Sequence, residues 1–112
     1  MIFQEFPAFV KNLPQADLST DGLRGWILQS DNGQILFNEA EVELVVSEHQ
    51  HGEQWGVVVS GKIELTINGV AQLYAQGDSY HIPADAIHSG KMFPGYRAIN
   101  YFADRNRYRI RL

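Results

Sequence analysis

Three of the chain's four histidines lie in two short segments whose residue types could bind a metal. His49 and His51 are two residues apart at the expected end of a strand, which points both rings to the same face. An oxygen donor, Gln54 or Glu53, follows them, and His88 comes later, just after a strand and a turn fixed by proline. These histidines could instead be surface or core residues, but their spacing favours the metal interpretation.

Short strands joined by tight turns must position these donors. Asn32-Gly33 and Asn68-Gly69 each lie between runs of alternating apolar residues, a pattern that indicates a β-hairpin. We predict nine strands, over residues 24–29, 34–39, 41–47, 54–59, 62–67, 71–74, 79–82, 97–102 and 107–111. One short helix is expected within residues 6–13. The sequence therefore predicts an all-β barrel or sandwich with at most one short helix near the N-terminus.

Length and composition exclude several classes of protein. The 112 residues suit a single domain over 1–112, with an N-terminal arm at 1–20 and a barrel over about 24–111. The absence of cysteine excludes disulfides, thiolate nucleophiles and cysteine-ligated metals. A net charge of -4 argues against nucleic acid as a partner, and no apolar run is long enough to span a membrane. Because no signal peptide is recognisable, we expect a cytoplasmic protein.

The two histidine segments resemble the paired motifs of the cupins, a family of double-stranded β-helix, or jelly-roll, barrels. In the first cupin motif, H-x-H is followed by a Glu, sometimes a Gln, and then after six residues by a glycine. Here Gln54 and Gly61 have these two places. The second motif, G-x5-P-x-G-x2-H-x3-N, is matched by Gly77, Pro83 and His88. The resemblance covers about residues 40 to 103 and implies a small cupin barrel.

The resemblance also implies a divalent metal ion, Zn, Ni, Fe or Mn, held by four side chains, namely His49, His51, Gln54 and His88. Gln54 is favoured over Glu53 by the count to the motif glycine and by strand alternation, which turns Gln54 inward. The chain departs from the motifs where Asp85 replaces a glycine and Met92 replaces an asparagine, and where the first motif is one residue shorter. A site without a carboxylate keeps the full charge of the ion, so it should favour anionic oxygen ligands.

Further residues are candidates for a pocket or for catalysis. The expected pocket residues are Trp26, Trp55, Asn100 and Phe102. No obvious general acid or base stands near the metal ligands in the sequence, and the best candidates are Glu53, Tyr80 and Tyr101. In cupins of pectin degradation, an acidic residue and a Phe occupy what resembles the Asn100 and Phe102 positions. Asparagine cannot do general acid–base work, so the match to that activity is incomplete.

Two charged segments have simple structural interpretations. The last eight residues hold four arginines that alternate with other residues, and we predict an edge strand protected from aggregation by charge. The alternative is a basic lip that attracts an anionic substrate. Glu39, Glu41 and Glu43 are expected to form one solvated strand face.

The resemblance implies a metal-dependent enzyme that acts on a small oxygenated metabolite, such as a sugar acid, a keto acid or a polyketide-like enol. The metal would act as a Lewis acid in isomerisation, cyclisation or hydration. Two alternatives stay open: a non-catalytic small-molecule-binding or sensor barrel, and an Fe(II)-type dioxygenase. The expected ligand is anionic or hydroxylated, and small cupins of this type usually form homodimers.

Overall fold

A computed structural model describes residues 5–112 as two antiparallel sheets with one short helix. The helix, α1, spans Ala8–Lys11. The strands are β1 (Leu23–Ser30), β2 (Gly33–Ala40), β3 (Leu44–His49), β4 (Gln54–Ser60), β5 (Lys62–Ile67), β6 (Val70–Ala75), β7 (Ser79–Ile82), β8 (His88–Met92) and β9 (Tyr96–Phe102). The predicted all-β architecture with one short N-terminal helix is confirmed. Among residues 5–112, no helix has the length and apolar character needed to cross a membrane.

The two sheets lie on either side of a shared interior. The first has the strand order β1-β2-β9-β4-β7, and the second has the order β3-β8-β5-β6. The largest buried cluster combines residues of both sheets, including Val58 and Tyr96 from the first and Ile63 and Leu65 from the second. Alternate residues of each strand therefore face this interior, which also contains the cavity described below.

Both predicted hairpins are present. Asp31 and Asn32 connect β1 to β2, which begins at Gly33, and Asn68 and Gly69 connect β5 to β6. The φ angles of Asn68 and Gly69 are 49° and 83°. Positive φ at both central residues characterises the turn whose twist matches that of the two strands, and Asn and Gly adopt it most readily.

Strand β8 and the C-terminal segment differ from the sequence predictions. β8 has the sequence HSGKM, which lacks apolar alternation. It forms because β3 and β5 supply hydrogen-bonding partners on both of its edges. The predicted strand at 107–111 is wrong, because the chain leaves the sheet after β9 and only Ile110 forms an isolated bridge, with Ala16. The tail instead follows the N-terminal arm, where Asp17 N–H donates to Arg109 O at 2.8 Å.

The expectation of a solvated acidic face is wrong for Glu39. This residue is 2% exposed, and strand register places it between Arg24 and Arg97. Its carboxylate lies 2.6 Å from the Arg24 guanidinium and 3.1 Å from Arg97 Nε. Arg97 also pairs with Glu41. Two arginines that are distant in the sequence thus neutralise a buried charge that alternation alone assigns to the surface.

Candidate metal centre

Three histidines from two neighbouring strands meet at one end of the barrel. His49 ends β3, His51 follows in the loop, and His88 begins β8 directly opposite His49. The ring centroids lie 4.2 Å apart for His49 and His88, 4.7 Å for His51 and His88, and 5.3 Å for His49 and His51. One nitrogen of each ring lies within 4.8 Å of the corresponding nitrogens of the other two. The three rings are therefore close enough to hold one metal ion together.

Hydrogen bonds to the backbone give all three rings the same tautomer. His49 Nδ1 donates to Ser47 O at 2.8 Å, His51 Nδ1 to Gly52 O at 2.7 Å, and His88 Nδ1 to Ala86 O at 2.9 Å. A carbonyl oxygen can only accept, so each Nδ1 carries the proton and each Nε2 keeps its lone pair. The Nε2 atom of His51 is buried without a hydrogen-bond partner among the described residues. This unpaired Nε2 atom, close to the free nitrogens of the other two rings, fits a metal site. The backbone carbonyls orient the three rings, as hydrogen-bond partners of metal-binding histidines do.

The electrostatics of the site also favour neutral imidazoles. The pKa of His51 is lowered to about 4, mainly by burial and also by the positive charge of Arg107, against the opposing effect of the hydrogen bond to Gly52. Burial likewise lowers the pKa of His88. Both rings are therefore unprotonated near pH 7, which is the form that binds metal.

A turn after β7 ties the two histidine segments together. Asp85 N–H donates to His51 O at 2.8 Å, and Gln50 Nε2 donates to Asp85 O at 2.7 Å. Asp85, which replaces the glycine of the second cupin motif, has a φ of 64°. Aspartate is one of the residues that tolerate this conformation. The departure from the motif therefore preserves the turn that positions His88.

The histidines lie on the wall of a cavity of about 310 Å³. Apolar residues of both sheets line much of it, among them Leu36, Ile63, Leu65, Ile82 and Met92. A second set of lining residues is polar and comes mainly from the five-stranded sheet, namely Asn38, Gln54, Tyr80, Tyr96 and Asn100. The cavity thus combines apolar walls with a few positioned polar groups, as small-molecule sites do.

Asn100 connects the polar residues of the cavity. Its Oδ1 accepts hydrogen bonds from Gln54 Nε2 at 3.0 Å and from the Tyr80 hydroxyl at 2.6 Å, and its Nδ2 donates to Asn38 Oδ1 at 2.9 Å. Because Gln54 Nε2 donates to Asn100, the side-chain carbonyl oxygen of Gln54 is the atom available to bind a cation. Burial raises the pKa of Tyr80 well above its usual value. The network is therefore uncharged, and Tyr80 stays protonated.

Tyr80, Asn100 and Phe102 line the cavity. The Phe102 ring centroid lies 5.4 Å from that of His51, so this side chain packs at the histidine end of the cavity. Gly56 makes the arrangement possible, because a Cβ at this position would lie 2.2 Å from Asn100 Oδ1.

The structure places the other candidates outside the cavity. Trp55 and Tyr101 are exposed, because each follows the opposite strand parity to Gln54 and Phe102, and the Tyr101 hydroxyl donates to Asn32 O at 2.8 Å. Trp26 is buried on the outer face of the five-stranded sheet, where its ring meets that of Phe6 at 6.2 Å.

Glu53 lies outside the cavity as well. Its carboxylate is 58% exposed and pairs with His81 Nε2, which lies on β7 and faces away from the three histidines. Neither residue lines the cavity. The contact gives Glu53 a partner on the surface, so this carboxylate is not a general base for a ligand bound inside.

The sequence analysis missed Asn38, Tyr96 and Arg107 as cavity residues. Asn38 was detectable, because it shares its strand parity with the buried apolar residues Leu36 and Ala40. Arg107 was predicted to lie in an edge strand, with a basic lip for an anionic substrate as the alternative. It reaches the cavity because the chain turns out of the sheet after β9 and passes over the mouth.

Comparisons with known proteins agree with this architecture. The cupin domain family model matches residues 37–91. None of the curated proteins matches the chain. An RmlC-like cupin from Shewanella frigidimarina is 20% identical with a TM-score of 0.74, and the match covers 93% of this chain and 97% of that one. KdgF from Halomonas sp. is 19% identical with a TM-score of 0.70, covering 81% and 87%.

A third solved structure with the same fold is the polyketide cyclase RemF from Streptomyces resistomycificus. It is 14% identical, has a TM-score of 0.70, and is matched over 99% of this chain and 87% of its own. At these identities the likenesses establish the fold. The family match over residues 37–91 and the two-sheet barrel together show a small cupin jelly-roll domain.

Proposed function

We propose that this cupin binds a divalent metal, Zn, Ni, Fe or Mn, and uses it to bind and activate a small anionic or hydroxylated metabolite. The observation that carries the proposal is the convergence of three Nε2 lone pairs, each left free by a hydrogen bond from Nδ1 to the backbone. Neutral imidazoles suit Zn, Ni and Fe, and a carbonyl oxygen suits Mn, so a site with both donors leaves the choice of metal to experiment.

Gln54 is the proposed fourth ligand. It is buried, it lines the same cavity as the histidines, and its amide nitrogen is held by Asn100. Glu53 has a surface partner instead, which favours Gln54 over Glu53. An amide oxygen adds no charge, so the site would keep the full charge of the ion and favour an anionic ligand.

A bound divalent cation would supply Lewis-acid chemistry toward the oxygen atoms of a ligand, as needed for isomerisation, cyclisation or hydration. In this proposal Tyr80 is a positioning residue, because its buried hydroxyl remains protonated and donates that proton to Asn100 Oδ1. Asn100 and Asn38 keep that hydroxyl and Gln54 in position. The apolar walls exclude water from the ligand.

A non-catalytic binding function is the second candidate, and one observation favours it. Among the described residues that line the cavity, the one carboxylate is that of Asp17, which is exposed. Among these described residues, no buried carboxylate therefore faces the ligand as a general base. A sensor barrel that holds a ligand on its metal needs no such base. The expected homodimer and the cytoplasmic location stay predictions, which sedimentation and cell fractionation would test.

Elemental analysis of protein purified without a nickel column tests the metal site. We expect about one divalent ion per chain in the parent, and its loss in His49→Ala and in His88→Ala. His81→Ala is the matched control, because this histidine is exposed and pairs with Glu53 outside the cavity. Stoichiometric metal in both His49→Ala and His88→Ala would contradict the proposed site.

Proton exchange distinguishes the two candidate functions. The metal-loaded protein is incubated with a panel of small keto acids and sugar acids in D₂O, and deuterium uptake next to the carbonyl is followed by NMR. Uptake that requires the metal and is lost in His88→Ala supports catalysis. Saturable binding of an acid without uptake or turnover supports the binding function.

A further inference from the structure

We infer that Arg107 is the residue that recognises the carboxylate of the ligand, so that the natural ligand is a small carboxylic acid. This inference rests on the proposed function, because it assigns a second contact to a ligand whose other oxygen atoms meet the metal. Arg107 lies in the irregular tail after β9, outside both cupin motifs.

The guanidinium of Arg107 has no counter-ion within residues 5–112. Arg24 and Arg97 both pair with Glu39, whereas no carboxylate of residues 5–112 lies within ion-pair distance of Arg107. Its Nε is buried and has no hydrogen-bond partner among these residues. Leaving a buried donor of a charged group unsatisfied is costly. A bound anion would remove this cost.

Two aromatic rings hold this guanidinium in place. Its Cζ lies 4.4 Å from the ring centroid of Tyr108 and 5.7 Å from that of Phe102. Phe102 in turn contacts the His51 ring at the metal-binding end of the cavity. Stacking engages the face of a guanidinium and leaves its N–H edge for hydrogen bonds. Arg107 is therefore held close to the histidines, and its N–H groups remain available to donate hydrogen bonds.

The position of Arg107 also suits a ligand that enters from solvent. It lines the main cavity, and together with His49, Ser19 and Thr20 it lines a groove outside. The exposed Asp17 is the one acidic residue among the described lining residues of these two spaces. With a divalent ion in place, the mouth of the cavity would carry a concentrated positive charge on a protein whose net charge is -4.

These features select the class of ligand. The planar fork of an arginine matches a carboxylate, which can accept two parallel hydrogen bonds. A cavity of about 310 Å³ lies at the small end of the range for small-molecule sites. The ligand is therefore a compact carboxylic acid with a neighbouring oxygen for the metal, such as a hydroxy acid or a sugar acid.

The test compares glycerate with glyceramide, which differ only in the carboxylate. Affinities for the zinc-loaded protein are measured by calorimetry in the parent, Arg107→Gln, Arg107→Lys and Arg111→Gln. The last variant is the matched control, because Arg111 is exposed and lies in the same tail outside the cavity. Arg107→Met, which keeps an unbranched side chain over the two rings, replaces Arg107→Gln if that variant does not fold.

We expect the parent to prefer glycerate, and Arg107→Gln to lose roughly 10- to 100-fold in glycerate affinity, the range for a charge-assisted hydrogen bond. Its glyceramide affinity and its zinc content should not change, and Arg111→Gln should match the parent. The glycerate affinity of Arg107→Lys should lie between those of the parent and Arg107→Gln, because lysine keeps the charge without the planar fork.

The proposal is overturned if the parent does not prefer glycerate, which includes binding of neither compound. It is also overturned if Arg107→Gln weakens the binding of both compounds equally, or if its affinities match those of Arg111→Gln. Failure of the proposed function gives a different result, since the parent would then bind no stoichiometric zinc. In that case the same comparison in metal-free protein decides the role of Arg107, because its charge does not depend on the metal.

Discussion

Replacing Gln54 by Glu changes one group of the cavity wall, an amide NH₂, into an oxygen. In the parent, this NH₂ donates to Asn100 Oδ1 at 3.0 Å. After the change, two acceptors would face each other. Asn100 cannot simply turn over, because its Oδ1 also accepts from Tyr80 and its Nδ2 donates to Asn38 Oδ1. We therefore expect Gln54→Glu to leave at least one buried polar group mismatched in the metal-free protein.

The expected cost is about 1–3 kcal/mol, the penalty for an unsatisfied buried polar group. For a domain of this size, that lowers the unfolding temperature by about 4–12 °C. The defect should shrink as the pH falls, because the introduced carboxyl, once protonated, can donate to Asn100. Burial raises the folded-state pKa of such a carboxyl above its unfolded value, so the penalty is present at higher pH and disappears at lower pH.

Metal should reverse the effect of this substitution. An anionic oxygen holds a divalent cation more strongly than an amide oxygen does, so Gln54→Glu should keep or tighten metal binding. The site charge would fall from +2 to +1, which should weaken the binding of an anionic ligand. Gln54→Leu, which removes the donor, should lose metal affinity by ~10-fold or more.

Calorimetric unfolding with and without metal measures these effects, with Gln72→Glu as the control for charge on the exposed strand β6. Saturating metal should raise the unfolding temperature of Gln54→Glu by more than that of the parent. The reasoning would be refuted by a metal-free Gln54→Glu variant as stable as Gln72→Glu. Tighter carboxylate binding by Gln54→Glu than by the parent would refute the ligand assignment.

Three further predictions follow from burial and charge. The metal-free protein should lose stability as the pH falls from 6.5 to about 4. In this window His51 becomes protonated in the unfolded chain, whereas its pKa in the folded protein is about 4. Urea unfolding that shows constant stability across this pH range would contradict the prediction. Gly56→Ala should destabilise by about 1–3 kcal/mol and displace Asn100, because the new methyl would overlap it, and a crystal structure with Asn100 unmoved would show the packing argument to be wrong. Arg97→Met should cost about 3 kcal/mol in urea unfolding, because Glu39 stays buried with one partner fewer, and a neutral result would mean that the arginine is not needed there.

Local features of the chain were enough to predict most strands and the part of the site formed by His49, His51 and Gln54. The hairpin at Asn68-Gly69 follows from the φ angles that these two residues tolerate, and strand alternation turns Gln54 inward. The same alternation turns Trp55 outward, against the expectation that it lines the pocket. The proximity of His49 to His51 is likewise a matter of spacing. Such features depend on neighbours in the sequence, so a sequence pattern records them directly.

The remaining features depend on contacts between segments that are distant in the sequence. β8 has no strand pattern of its own and forms between β3 and β5, and Glu39 is buried because Arg24 and Arg97 arrive from other strands. The tail that carries Arg107 has the alternation of a strand, but its partner is the N-terminal arm rather than a sheet.

The chemistry of the site shows the same division. Residue types and spacing were sufficient to predict that histidines would gather, whereas the tautomer that frees each Nε2 depends on backbone carbonyls whose positions only the folded chain defines. The same holds for Arg107, whose unpaired charge at the cavity is a property of everything packed around it. Spacing along the chain determines which groups can meet, while burial and long-range hydrogen bonds decide their protonation and what they leave free to bind.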